Sequence, residues 1–155
     1  MFGNSRGIHA QHEAQAALSA AVVQLIPPDA TALRITASLL DPVSLYTFDA
    51  EADDGSVEYV RRPRGLDLGL IRNLRAAMYQ DGLGTWFSAV IRVDRSGAVD
   101  ATFNYDDEPE WDAPVDSIAY LTDQETFPRD VEKQPPWLQE KIAEGVKRRR
   151  ELGFE

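Results

Sequence analysis

His9 and His12 stand three residues apart with Glu13 beside them, and on a helix that spacing sets two imidazoles over one point in space. A closed metal site needs further ligands, and the sequence has no other histidine and no cysteine. The rest would have to be carboxylates, so two polar residues in a first helical turn are the simpler reading. Asp106, Asp107, Glu108 and Glu110 are close enough in sequence to offer a general acid and base, or oxygen ligands for calcium. The alternating Asp/Asn spacing around a central glycine that marks a calcium loop is missing. Arg64-Gly-Leu-Asp-Leu-Gly69 has neither the Lys-Ser/Thr ending of a phosphate-cradling loop nor dinucleotide-type glycine spacing. No serine lies in a nucleophile elbow. Without cysteine there is no thiol nucleophile, disulfide framework or Cys-based zinc or iron–sulfur site. The expectation is a protein that is not an enzyme and uses no cofactor or metal.

Charge carries a clearer signal. The chain has 155 residues, 16 Lys and Arg against 26 Asp and Glu, and a formal net charge of −10. Between Asp94 and Glu132 lie twelve acids and two bases, Arg95 and Arg129, so this stretch accounts for the whole net charge. The remainder holds fourteen acids and fourteen bases and is neutral. Such asymmetry speaks of partners rather than of fold. It argues against direct nucleic-acid binding, which needs cations for phosphate contacts, and favours a basic partner. Two basic clusters, Arg61-Arg-Pro-Arg64 and Lys147-Arg-Arg-Arg150, read as solvated turns or as internal counterparts of the acids. Within the acidic stretch, Phe103-Asn-Tyr-Asp-Asp-Glu-Pro-Glu-Trp-Asp112 runs a hydrophobic strand end into closely spaced carboxylates and a tryptophan. Folding does not require so many like charges together, and a cationic partner would relieve their repulsion. Trp and Tyr often carry interface energy. The opposing reading is an acidic solvated loop with Trp111 folded back on the core.

The elements that must position these residues follow from periodicity. Residues 9–26 read as an amphipathic helix, with Ala14, Leu18, Ala21, Val22 and Leu25 on one face, ended by Pro27-Pro28. Residues 32–40, 44–50 and 56–61 read as strands of an antiparallel meander, the last two joined at Asp53-Asp-Gly55. Residues 66–80 repeat apolar positions at the helical period and close at Asp81-Gly82 and Gly84. Residues 85–93 and 98–105 alternate about an Asp94-Arg-Ser-Gly97 turn and read as a hairpin. A polar loop occupies 106–114, residues 115–128 allow a short helix, and a last helix spans 137–152 behind Pro135-Pro136. The order is α-βββ-α-ββ-α in one domain over 1–155. The fold class is α+β: an N-terminal helix, a meander plus a hairpin forming one sheet packed by helices, and a C-terminal helix. The longest N-terminal apolar run, Ala16–Ile26, is too short to span a bilayer and lacks the basic flank of a signal peptide, so a cytoplasmic location away from membranes is expected.

Gly84-Thr-Trp-Phe-Ser-Ala, Phe103-Asn-Tyr-Asp-Asp-Glu-Pro, Trp111, Phe127-Pro-Arg-Asp130 and Trp137-Leu together resemble the YezG-like immunity proteins of bacterial polymorphic toxin systems. The likeness covers roughly residues 66–145, in short motifs, and the first 60 residues carry no signature. It implies a small cytoplasmic α+β protein, not an enzyme, that binds and neutralises a cognate toxin domain. The toxins of such systems are commonly nucleases, deaminases or NAD-consuming enzymes. An acidic face would fill a basic nucleic-acid cleft as a phosphate mimic, whereas an NAD-consuming toxin would need its pocket plugged. The matching positions are Trp86, Phe103, Tyr105, Asp106, Asp107, Trp111 and Trp137. Of these Trp86, Phe103 and Trp137 read as core. The expected contact set is Asp106, Asp107, Glu108, Glu110, Trp111, Asp112 and Asp116. Two other readings remain open on the residues alone: a non-inhibitory adaptor for a basic protein, and, last, a small metal-assisted hydrolase built on the acidic loop.

Overall fold

Alternation of apolar and polar residues builds the centre of the molecule. The computed structural model describes residues 2–153, and their side chains from residue 7. Its helices are α1 (Phe2–Val23), α2 (Gly69–Ala77), α3 (Ser117–Thr126) and α4 (Pro136–Glu151), with one 3-10 turn at Val131–Lys133. Its strands are β1 (Ala32–Leu39), β2 (Ser44–Glu51), β3 (Val57–Val60), β4 (Ser88–Asp94) and β5 (Val99–Asn104). All neighbours are antiparallel, in the order β3-β2-β1-β4-β5. The meander and the hairpin thus join through β1 and β4 into one sheet, and the class is α+β. Helix α3 is a separate element, which makes the order α-βββ-α-ββ-α-α rather than one helix fewer.

One face of the sheet is the main core. Leu33, Ile35 and Ala37 on β1, Phe48 and Ala50 on β2, and Ala89, Ile91 and Val93 on β4 are buried against α1 and α2. Helix α1 contributes Leu18 and Val22, and α2 contributes Ile71 and Leu74. Each fully buried Leu or Ile contributes about 1.5–3 kcal/mol relative to exposure, so this face dominates stability. Helix α1 ends at Val23, three residues earlier than the proline pair implies. Leu25 N–H turns back to the Val22 carbonyl at 2.8 Å, and Ile26 drops into the core. Helix α2 starts at Gly69 rather than 66, because Asp67 Oδ1 accepts the Gly69 N–H at 2.8 Å in a local turn first.

A second, smaller core forms at the sheet end where Leu40 follows β1 and Phe87 precedes β4. There they meet Ala119 and Tyr120 of α3 and Leu138 of α4. Adjacent residues therefore part company: Leu39 and Trp86 belong to the main core, Leu40 and Phe87 to the second. Trp86 does not share the solvent side of Ser88 and Val90, as strict alternation over 85–93 would have it, because regular strand begins only at Ser88. Helices α3 and α4 approach closely at Gly145, where an added Cβ would lie 2.6 Å from the Ser117 carbonyl oxygen and 3.0 Å from Leu121 Cβ.

Candidate functional site: a pinned acidic loop

The stretch from Tyr105 to Val115 leaves β5 and enters α3 without regular structure, yet its backbone is held from several directions. Asn104 starts the restraint. Its Oδ1 accepts the Asp107 N–H at 2.9 Å, and its Nδ2 donates to the Asp107 carbonyl at 2.9 Å and to Ser88 Oγ at 3.0 Å. This is the turn-stabilising use of an Asn side chain. Trp137 Nε1 donates to the Asp106 carbonyl at 2.7 Å, and Ser38 Oγ donates to the Glu110 carbonyl at 3.3 Å. Trp111 turns inward against the second core, its Nε1 donating to Tyr120 Oη at 3.0 Å. Burial pushes the Tyr120 phenol pKa up, with the Trp111 bond working in the opposite direction. Pro109 is buried between the exposed Glu108 and Glu110.

Arg129 lies beneath this loop, 5% exposed. Its Nη2 donates to the Tyr105 carbonyl at 2.8 Å and to the Thr85 carbonyl at 3.3 Å, and its guanidinium stacks 5.0 Å from the Phe87 ring centre. The Asp106 carboxylate, 83% exposed, closes to 3.6 Å of Nη1. Burial pushes the Arg129 pKa down and the Asp106 and Asp123 carboxylates push it back. The side chain stays cationic, as arginine does in proteins. Sequence reasoning registered Arg129 only as a base in an acidic stretch and missed its role. Phe127-Pro-Arg-Asp130 held the signal, but burial of the cation depends on Tyr105 and Thr85, remote in the chain.

The structure brings Asp106, Asp107, Glu108, Glu110, Trp111 and Asp112 onto one loop, and Asp116 onto the start of α3. Asp107, Glu110 and Asp112 are exposed, and their carboxylates have no partner among the described residues. Glu108 lies 3.8 Å from Lys141 Nζ. Asp116 caps α3, accepting the Ile118 N–H at 3.0 Å, and its other oxygen meets Arg148 Nε at 3.3 Å. Those bonds hold its carboxyl below the usual carboxylate range, the cap contributing most. Part of the acidic stretch is therefore neutralised internally. Arg149 likewise binds Glu125 at 2.7 Å and 3.0 Å, so two bases of the run on α4, Arg148 and Arg149, serve acids of this chain.

Asp123 is removed from the surface altogether. It is 5% exposed, faces Arg75 at 2.6 Å and 2.9 Å, and accepts the Asp41 N–H at 2.8 Å. A cavity of about 10 Å³ beside it, lined by Thr85, Tyr120, Asp123 and Arg129 among others, has room for no more than about one water. Among the described residues no three His, Asp or Glu side chains converge on a point where a metal ion would sit. His9 pairs with Glu13 at 3.1 Å along α1, both largely exposed. No described helix is long and apolar enough to cross a membrane.

Fold and site together define a small α+β protein whose distinctive surface is an acidic loop held rigid from behind. No protein-family model matches the sequence, and no curated protein matches it.

Proposed function

We propose that the chain is an immunity protein, which binds a cognate toxin domain in the cytoplasm and neutralises it by covering the active site with an acidic surface. The observation that supports this most is the division of labour in the loop. The Asp106 and Glu110 carbonyls and the Trp111 indole are engaged inward, while Asp107, Glu110 and Asp112 direct free carboxylates outward. A loop already fixed in shape loses little entropy on binding, which is how preorganised surfaces reach high affinity. Clustered unpaired carboxylates steer a cationic surface and raise the association rate. The likeness in residues 66–145 agrees with the same reading.

The test takes the domain encoded by the adjacent reading frame as the candidate toxin. Co-expression of the wild-type chain protects cells from it, and the complex associates more slowly as salt is raised. Replacing Asp107, Glu110 and Asp112 by Lys weakens protection and slows association. Full protection by a folded triple variant removes the loop from the interface. A neighbouring domain that binds but is not toxic makes the chain an adaptor instead.

A further inference from the structure

The sheet has a second face, opposite the main core, built of charged, hydroxyl-bearing and β-branched side chains. Across the register runs a row Tyr59, Asp49, Arg34, Arg92 and Asp100. Both arginines of the row donate to one carboxylate, Glu51, at 3.1 Å and 3.0 Å. Two cations thus share one carboxylate, while Asp49 and Asp100 stand opposite them across the strands without closing to ion-pair distance among the described residues, so the row with Glu51 carries three acids against two bases.

The next row is Thr47, Thr36, Val90 and Thr102. These are short, β-branched side chains with little rotamer freedom to lose, and no lysine interrupts them. Val90 is 40% exposed at the centre, and Tyr59 is 69% exposed on the edge strand. The third row holds Ser38, Ser88 and Asn104, two of which grip the acidic loop through the Glu110 and Asp107 carbonyls. Sheet face and loop are one continuous surface: a stiff, weakly polar centre with carboxylates on its margin. Its short central side chains lose little entropy when covered, and the carboxylates stand at its margin.

We infer that the toxin domain docks across this open sheet face as well as on the loop. Val90 and the threonine row lie beneath its contact, and Asp49, Asp100 and the loop acids meet its cations. The inference rests on the immunity reading and assigns it a surface. Charge selects the occupant: a second copy of the chain would set the same unpaired acids against one another, whereas a cationic protein surface complements them.

The probe is that same candidate domain from the adjacent reading frame, in a catalytically inactivated form. Val90→Arg with Thr102→Arg sets two long side chains in the middle of the face and weakens binding by about 30-fold or more, as loss of a central contact does. Ala143→Arg, the same kind of change on the exposed side of α4, leaves binding unchanged. Hydroxyl-radical footprinting of the unaltered pair supplies a readout independent of any variant: Tyr59 and Val90 lose labelling in the complex. If both label equally with and without the toxin, or if a folded Val90→Arg, Thr102→Arg chain binds like wild type while the loop triple variant does not, the inference falls and the immunity reading stands. If the wild-type chain does not bind the domain, both fall. A free chain that sediments as a dimer, and as a monomer with Val90→Arg, gives the face to a second copy and overturns the inference.

Discussion

Replacing Asp123 by Asn isolates the ion pair that fastens α3 to α2. The change keeps the side chain's shape and removes its charge. Arg75, 2% exposed, then retains its bond to the Trp86 carbonyl at 2.7 Å and its stack on Phe127 at 5.1 Å, but loses its counter-ion. The amide also turns an N–H₂ toward a guanidinium that has only donors. Breaking a buried pair by altering one partner costs about 3–5 kcal/mol, against a total stability of roughly 5–15 kcal/mol for a typical domain. For a chain of this size each kcal/mol is worth about 2–4 °C, so the melting midpoint falls by roughly 6–20 °C. Urea unfolding and calorimetry read both quantities. Replacing both partners, Arg75→Met with Asp123→Leu, recovers part of the loss: no buried charge is left unpaired, but the Asp41 N–H and the Trp86 carbonyl lose their partners. Glu125→Gln, which neutralises an acid paired with Arg149 in the open, changes stability far less. An Asp123→Asn chain within about 1 kcal/mol of wild type would refute the reasoning, since Arg75 would then have to be solvated despite its burial.

Other outcomes follow from the same contacts. Gly145→Val forces α3 and α4 apart, because the first atom it adds meets Ser117 backbone at 2.6 Å; a loss of about 1–3 kcal/mol in urea unfolding is expected, and an unchanged midpoint contradicts the close approach. Asn104→Ala frees the acidic loop, so hydrogen exchange at the Asp106 and Asp107 amides accelerates while the β1 and β4 amides stay protected. Stability depends on pH through Asp116 and Glu125. The α3 cap and Arg148 depress the first carboxyl and Arg149 the second, so their stabilisation is complete above the unfolded carboxylate pKa of about 4 and is lost as pH falls through the lower folded values. Asp116→Asn with Glu125→Gln flattens the acid limb of a melting-temperature profile, and an unflattened limb assigns it to other groups.

The sheet was legible because burial of one face imposes a period of two that a register slip would destroy. Leu33, Ile35 and Ala37 against Arg34 and Thr36 carry that period through β1. Asp53-Asp-Gly55 marked its hairpin because Gly55 adopts φ +83°, a conformation glycine enters freely. Helix ends were less legible: Asp67 and Leu25 settle them through local hydrogen bonds that compete with the helix ladder. The acidic loop was visible in composition, but its restraint was not. Asn104, Ser38 and Trp137 act on it from three elements and Arg129 from the segment after α3, and Arg75 meets Asp123 across 48 residues. Such pairings follow from tertiary packing, which no local window contains. Arg75 sat in an apparently amphipathic helix as an ordinary polar position, and Arg129 as a stray base.

The charge of −10 takes a different meaning once partners are assigned. Of the twelve acids between Asp94 and Glu132, Asp106, Glu108, Asp116, Asp123 and Glu125 are each within ion-pair distance of a cation, and only Asp123 is buried with its partner. The pairs bind α3 to α2 and α4, and the loop to Arg129 and α4, so these acids help to build the scaffold. Asp107, Glu110 and Asp112 are outside that scaffold, on the loop that leaves the end of β5. A paired structural acid and an unpaired acid in this chain are therefore separable by experiment. Neutralising the first group lowers the unfolding midpoint with little selectivity for a partner, whereas neutralising the second raises it slightly and alters the salt dependence of association. Like charges held together with no internal cation destabilise the free protein, and a cationic surface brought against them removes that repulsion as it binds. The acids that contribute least to the fold are thus the ones best placed to contribute to an interface.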